Sequence, residues 1–414
     1  MSSDSASSEK FGVRILDFAR QLAQWSEMQD GLMCTFFSPA HKAVAAQLRD
    51  WMNAAGLKAV IDPIGNVVGR YASAAPGAKT LIVGSHYDTV ANAGQFDGRL
   101  GILTALVVAE HLQQGGRQLP FHLDVIAFSE EEGVRFSAPY LGSSAIAGNF
   151  DEDVLARRDI GGTSLATVLR KEDVGFAEIR ALAYGRDMLR GYLEVHIEQG
   201  PVLLQKDLPL GVVTSIAGST RYRIAVQGVA GHAGTVPMAL RRDAAAAAAE
   251  IVLAVERRCS AVPNLVGTVG QLRVPHGLIN VIPGYCELSL DVRSTEDAAR
   301  DSAVADIRVS IDEIAGRRRV TIAAKEVSRH RAVPCAASMQ AALADAVGRA
   351  GIQPFYLPSG AGHDAEMFAG MTDIGMLFVR CGNGGISHSP LETVSPDDAG
   401  VAASVLLDTI VNMR

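Results

Sequence analysis

The sequence predicts an α/β fold, with a mixed, mostly parallel sheet in the principal domain and an inserted α+β sandwich. Three observations carry that prediction. Apolar strand-like runs alternate with helical periodicity from TLIVGS onward, the pattern of a βα layered domain. Around residue 212 the character changes to segments that alternate apolar and polar residues, as antiparallel strands exposed on one face do. Near residue 328 the first pattern resumes. The expected domains are therefore residues 1–211 together with 328–414, and an insertion at 212–327.

Residues 11–60 read as helical, because DFARQLAQW and AHKAVAAQLRDWMNAAG place apolar side chains three and four apart and Gly56 offers a stop. GNVVGRYA and TLIVGS read as strands, GILTALVVAEHLQQG as a helix ending in glycine, and FHLDVIAFS as the next strand. Within the insertion, RYRIAVQGVAG, TVGQLRVP and YCELSLDVRS are the alternating strands. Two helices separate them, DAAAAAAEIVLAVERRC and TEDAARDSAVADIRVSIDEIAG, and VTIAAKEV closes the sandwich. The resumed pattern holds a helix at SMQAALADAVGRAG, the strand DIGMLFV and a last helix at PDDAGVAASVLLDTIVNM.

A chain of 414 residues with 48% hydrophobic content can bury the cores of two domains. The formal net charge of -7, with no dense Lys/Arg run, gives no attraction for phosphate backbones or anionic membranes. Neither nucleic acid nor a membrane is an expected partner, and no apolar run approaches the roughly 20 residues of a membrane span. The Ser-rich start MSSDSASSEK lacks a basic head and an apolar stretch, so it reads as a frayed tail and not as a secretory signal. Cys34, Cys259, Cys286, Cys335 and Cys381 are widely spaced without a CxxC pair and read as reduced thiols, which makes a cytoplasmic location the expectation.

The chemistry-bearing residues sit at the ends of the apolar runs. His86 follows TLIVGS, Glu130 to Glu132 follow FHLDVIAFS, His196 follows GYLEV, and His388 comes shortly after IGMLFVRCGNGG, while Asp97 lies in the GQFDGRLG loop. Side chains at the carboxyl ends of neighbouring parallel strands meet in one crevice, so residues far apart in sequence can converge there. A mixed nitrogen and oxygen set of this kind suits zinc, and manganese or cobalt would also accept it. In GSHYDTV the i, i+2 spacing lets the Asp88 carboxylate accept the second ring N–H of His86 and fix its tautomer. The three consecutive acids of SEEEG repel one another unless cations or solvent neutralise them. One of them can ligate while a neighbour serves as general base.

GSHYDTV, GQFDGRLG, SEEEGVRF, HIEQGP, GHAGTVPM, NVIPG, SGAGHDA and GISHSP, spread over nearly the whole chain, closely resemble the binuclear-metal amidohydrolases. That hydantoinase/carbamoylase-type branch includes N-carbamoyl-L-amino acid hydrolase, allantoate amidohydrolase and bacterial β-ureidopropionase, within the wider aminoacylase-type metallopeptidase family. The resemblance implies two divalent ions per subunit, Zn2+ or Mn2+ with Co2+ also compatible. His86, Asp97 and His196 would hold one, and Asp97, as a bridge, Glu132 and His388 the other. Glu131, directly before the ligand Glu132, would be the general acid/base, with Glu130 as the alternative one residue away. The insertion would be a lid and dimerisation domain of a homodimer with a cross-subunit active site. Its His232, Asn280 and Arg293 are the polar residues that in the family reach the neighbouring subunit's site. There Arg293 can grip a substrate carboxylate, Asn280 donate to it and His232 stabilise an oxyanion. Gln199 and the GAGHD segment, including Gly360 and His363, would be further substrate-facing elements.

The implied activity is hydrolysis of a linear ureido or carbamoyl C–N bond, in an N-carbamoyl-L-amino acid or allantoate, by metal-bound hydroxide with release of ammonia. CTFFSPAHKA and DTVANAGQFDG lean toward allantoate. Two other readings compete. An N-acyl amino acid deacylase or metallo-exopeptidase would share the fold and most ligands, but ordinary peptidase members commonly carry an acid where this chain has His196. A noncatalytic dimeric ligand-binding protein would have no need for a spare glutamate beside the ligands.

Overall fold

A mixed sheet organises the larger part of the molecule. The computed structural model describes residues 4–413, with side chains from residue 8 onward. In chain order the strands are β1 (Lys58–Ile61), β2 (Val67–Tyr71), β3 (Thr80–His86), β4 (His122–Phe128), β5 (Leu189–Ile197), β6 (Leu210–Ile216), β7 (Gly218–Gln227) and β8 (Gly231–His232). They continue with β9 (Leu265–Thr268), β10 (Leu272–Arg273), β11 (Val281–Ile282), β12 (Tyr285–Ser294), β13 (Thr321–His330), β14 (Val333–Pro334), β15 (Tyr356–Ser359) and β16 (Ile374–Val379). The chain divides into a first unit, up to Thr214 with Cys335–Leu357 and the residues from Gly362 onward, and a second unit, Ser215–Pro334 with Pro358–Ala361.

In the first unit the sheet order is β1-β2-β4-β3-β5-β16-β6. β3 runs parallel to β4 and β5, and β16 parallel to β5. β2 and β6 flank this parallel centre antiparallel to β4 and β16. β3 and β16 are buried at every position, which is what continuous apolar runs become when both faces of a sheet are covered. Helix Arg99–Gln114 packs on β3 and β5, and helices Asp4–Leu22 and Pro396–Asn412 pack on it in turn. Its apolar residues are accordingly buried on nearly every side. Ser38 and Ser395 cap their helices by accepting from the His41 and Asp398 amides, each with proline at the first helical position.

The helical expectation for residues 11–60 is corrected in two places. Residues 23–38 leave the helix, and the chain turns into β1 at Lys58 after Gly56, whose φ of +85° the left-handed region permits glycine. The Ser-rich start, expected as a frayed tail, is helical from Asp4, and residues 1–3 lie outside the described residues.

The second unit is an antiparallel sheet, β10-β12-β7-β13 with β9 also paired to β12. Helices Ala244–Ser260 and Asp297–Arg318 cover one face, burying Ile224, Val226, Leu288, Leu290 and Val292 against Ile251, Val255, Ile307 and Ile311. Asp243 starts the first of these helices by accepting from the Ala245 and Ala246 amides. TVGQLRVP, expected as one strand, splits into β9 and β10, both paired with β12. The expected return at residue 328 falls inside β13, whose pairing with β7 runs through His330, and the chain re-enters the first unit at Cys335. Among the described residues no helix is long and apolar enough to cross a membrane, and the five cysteines are free and buried.

Candidate metal centre

Parallel pairing puts His86, the last residue of β3, beside His196, near the end of β5, with their ring centroids 5.7 Å apart. Nδ1 of His86 faces the Asp88 carbonyl at 3.1 Å and Nδ1 of His196 faces the Ile197 carbonyl at 2.9 Å. Only an N–H can face a carbonyl, so each ring carries a proton on Nδ1, and Nε2 of His196 accepts from the Gly98 amide at 3.2 Å. Those two Nε2 atoms lie 3.5 Å from each other, and Oδ1 of buried Asp97 lies 3.5 Å from that of His196. Burial pushes the His196 pKa down to about 4. Two imidazole nitrogens converging on a buried carboxylate make the nitrogen and oxygen donor set of a borderline divalent ion. The residues present therefore fit a metal.

Asp97 is held by the tight turn that opens helix Arg99–Gln114, and Gly98 makes the turn possible. Its φ is +67°, and a Cβ there would sit 2.4 Å from Nε2 of His86. The other oxygen of Asp97 lies 2.9 Å from Nε2 of His388, which is 3.4 Å from Oε1 of Glu132. Burial opposes the charge on Asp97, but His388, His196 and His86 outweigh it and hold its carboxyl well below the usual range. Hydrogen bonds to Asp97 and Glu132 lift His388 to about 10. The donor atoms of the His86–Asp97–His196 set lie within 4.8 Å of one another, and so do those of the Asp97–Glu132–His388 set. Gln199 Nε2 donates to Oδ1 of Asp97 at 3.0 Å and meets Nε2 of His388 at 3.3 Å, so this residue lies inside the cluster. A third grouping, Glu194 with His196 and His363, is different. The Glu194 oxygens already accept from Ser85 Oγ, Tyr192 OH and the Ala365 amide, at 2.9, 3.0 and 3.1 Å.

The three acids after β4 diverge. Oε2 of Glu131 comes to 3.9 Å from Nε2 of His86, and burial drives its pKa well above the ordinary carboxylate value. Glu130, with φ +54°, turns away and gives its carboxylate to the Phe36 and Arg135 amides. Its carboxylate is thus committed to the backbone. The carboxylate of Asp88 accepts from the Glu131 and Glu132 amides at 3.0 and 3.1 Å and stands 3.6 Å from Nδ1 of His86. That ring nitrogen is therefore faced by the Asp88 main-chain carbonyl together with the Asp88 carboxylate, which also shapes the acidic turn. His363, expected to face substrate, is buried edge-on against the His196 ring at 4.5 Å.

In the second unit, β8 and β11 pair His232 with Val281, and the Ala233 amide donates to the carbonyl of Asn280. The Gly234 amide donates to Nδ1 of His232 at 3.1 Å, which places the ring proton of the neutral form on Nε2. Arg293 lines a groove of about 730 Å³ on the open face of the sheet. Its Nε and Nη2 reach the Asp291 oxygens at 3.1 and 2.9 Å, and its Nη1 donates to the carbonyl of Gly360 at 2.7 Å. Gly360, itself exposed and lining the same groove, thus orients the arginine. Sequence reasoning missed Asp291 and, in the first unit, Glu194, Arg99 and Glu392. Arg99 is wholly buried and donates Nε to the carbonyl of Tyr87, the residue after His86. For Glu392 the available signal was an acid four residues past His388 in the stretch SHSPLETV.

A mixed α/β sheet carrying two nitrogen–oxygen donor sets that share one carboxylate defines the class of the metal-dependent hydrolases. The chain belongs to peptidase family M20/M25/M40, which it matches over residues 82–412. It is 39% identical to a probable allantoate deiminase of Oryza sativa subsp. japonica, across 94% of this chain and 86% of that one. To an N-carbamoyl-L-amino acid amidohydrolase of Geobacillus stearothermophilus it is 38% identical, across 96% and 98%. The crystal structure of an amidase of the hydantoinase/carbamoylase family from Burkholderia multivorans matches with a TM-score of 0.90 and 30% identity over 97% of each chain. The resemblance carried by GSHYDTV through GISHSP is borne out.

Proposed function

We propose that the protein is a metal-dependent amidohydrolase that cleaves a linear ureido C–N bond with release of ammonia, and that allantoate is its preferred substrate. The observation that carries this reading is the convergence of His86, Asp97, Glu132, His196 and His388 with Glu131 beside them. The names of the relatives, an allantoate deiminase and an N-carbamoyl-L-amino acid amidohydrolase, support the ureido bond as the target. His86, Asp97 and His196 would hold one divalent ion and Asp97, Glu132 and His388 a second, with Zn2+, Mn2+ and Co2+ all compatible with these donors. Such ions, when bound, polarise a carbonyl and acidify water.

Glu131 takes the proton of the attacking water and returns it to the departing nitrogen, and burial, which raises its pKa well above the ordinary carboxylate value, makes it a stronger base than a solvated carboxylate. His232, with its proton on Nε2, donates to the carbonyl oxygen as negative charge builds there. Arg293, held flat by Asp291, grips the substrate carboxylate, and Asn280 donates to it. Gln199 orients Asp97 and His388. In this reading the second unit is a lid and dimerisation domain. Exposed Met238, Leu240, Leu278 and Ile279, on the segments that carry His232 and Asn280, form an apolar surface for a partner subunit to cover.

The test is ammonia release by metal-stripped protein reloaded with manganese or zinc and offered allantoate, N-carbamoyl-L-amino acids and 3-ureidopropionate side by side. Preference for allantoate is expected, and a preference for a carbamoyl amino acid would move the substrate within the branch. No ammonia from any of them, with metal demonstrably bound, would overturn the ureido reading. Activity per chain should fall on dilution into monomers, and a fully active monomer would exclude the cross-subunit site.

A further inference from the structure

We propose that Glu392 is a positioning residue that ties the Asp97 loop to the His388 loop and thereby sets cation affinity at the Asp97–Glu132–His388 position. The inference rests on the two-cation reading above. Glu392 lies between β16 and the last helix, four residues past His388, and is 4% exposed. Oε1 accepts from the Phe96 amide at 2.8 Å and from the Asp97 amide, 295 residues away in sequence, at 3.1 Å. Oε2 accepts from Oγ of Ser387, the residue before His388, at 2.9 Å. One carboxylate therefore spans two loops that each carry a donor. The Asp97 loop is moulded around it, since a Cβ on Gly94 would lie 2.3 Å from Oε1 of Glu392.

The two cation positions depend on this tie to different degrees. His86 pairs in register with Phe128 of β4 and His196 with Phe378 of β16, and neither lies on the 387–392 segment. His388 sits on an irregular loop with φ +53° and a side chain 47% exposed, and its closest polar neighbours, Asp97, Glu132 and Gln199, belong to the site itself. Loss of a group that orients a ligand commonly costs about 10–100-fold in metal affinity. Removing the Glu392 carboxylate should therefore weaken the second position, where two of three donors lie on the tied loops, more than the first, where only the shared Asp97 does.

Cobalt titration of the metal-stripped chain, followed by visible absorbance and calorimetry, tests this without reference to turnover. The wild-type chain is expected to take two ions. Glu392→Ala should keep the first and bind the second about 10–100-fold more weakly, with Glu392→Gln partly rescuing it and Ser387→Ala giving a smaller loss in the same position. If Glu392→Ala fails to fold, the Gln and Ser387 variants carry the measurement. Two ions bound with unchanged affinities in the variants, or both weakened equally, would overturn the positioning role and leave the two-cation reading standing. A wild-type chain that takes fewer than two ions would overturn that reading and this inference with it.

Discussion

The two donor sets that share Asp97 are held in place by different means. In the first, His86 and His196 end neighbouring parallel strands, and a main-chain carbonyl locks the tautomer of each buried ring. In the second, His388 hangs from a loop, half exposed, and Glu132 leaves a turn that the Asp88 carboxylate has to shape. Strand register places a side chain to within what a metal needs, because the ladder on both sides defines it. A loop must be tied down by groups that are not ligands. The first position is thus preformed, and the second is assembled by its surroundings.

The largest effect is expected at the residue that stands between the sets. Glu131→Gln keeps the shape of the side chain and removes the basic oxygen, so kcat should fall about 10²–10⁴-fold with metal content unchanged. Steady-state kinetics with metal analysis on the same sample checks both halves, and normal turnover would remove Glu131 from the chemistry. His196→Ala and His388→Ala come next and separate the two positions directly. The first should abolish tight binding at the buried position and lower the melting temperature of the stripped protein, because it opens a hole beneath a packed ring. The second should leave one ion per chain, with any loss of stability coming from the ion pairs to Asp97 and Glu132 and not from a cavity. Indistinguishable metal titrations for the two variants would erase the contrast.

Arg293→Ala acts on substrate and not on metal. A charge-assisted contact is worth about 1.5–3 kcal/mol, so KM for carboxylate-bearing substrates should rise about 10–100-fold while both ions stay bound. An unchanged KM would take the arginine out of the acid-binding role.

What could be read from the amino-acid sequence follows the same division. Residues at the ends of apolar runs, His86 and His196 above all, were legible because strand burial and strand termination are local properties of the chain. The β-strands of the second unit were legible for the same reason, through the alternation in YCELSLDVRS and RYRIAVQ. The break within TVGQLRVP was not, since it depends on how β12 offers different stretches to β9 and β10. Nor was the true boundary at Cys335, because the β13 pairing with β7 prolongs the strand beyond VTIAAKEV. The contacts made by Glu130, Asp88, His363 and Glu392 are choices among partners brought together by loops up to 296 residues apart. No local spacing encodes which oxygen meets which amide.

The mildest test of the contrast uses no substitution at all. In the metal-stripped protein, burial keeps His196 neutral with a pKa of about 4, while Asp97 and Glu132 hold His388 protonated up to about 10. The raised value at His388 means that its proton favours the metal-free fold fully below the ordinary histidine value of 6.5, and that this contribution fades as pH rises through about 10. A cation entering the second position must displace that proton, so the contribution of His388 makes apparent affinity there climb by up to about tenfold per pH unit below that value. His196 carries little charge over this interval and its own share of the first position is nearly flat, while His86, which against its burial Asp88, Glu131 and Asp97 raise well above its ordinary value, must also give up a proton there. Imidazole NMR of the stripped protein between pH 5 and 10 should find His196 neutral throughout and His388 still charged at pH 9. A His388 that titrates near 6.5 would mean that Asp97 and Glu132 do not grip it in solution, and the second position would then be looser than the geometry implies.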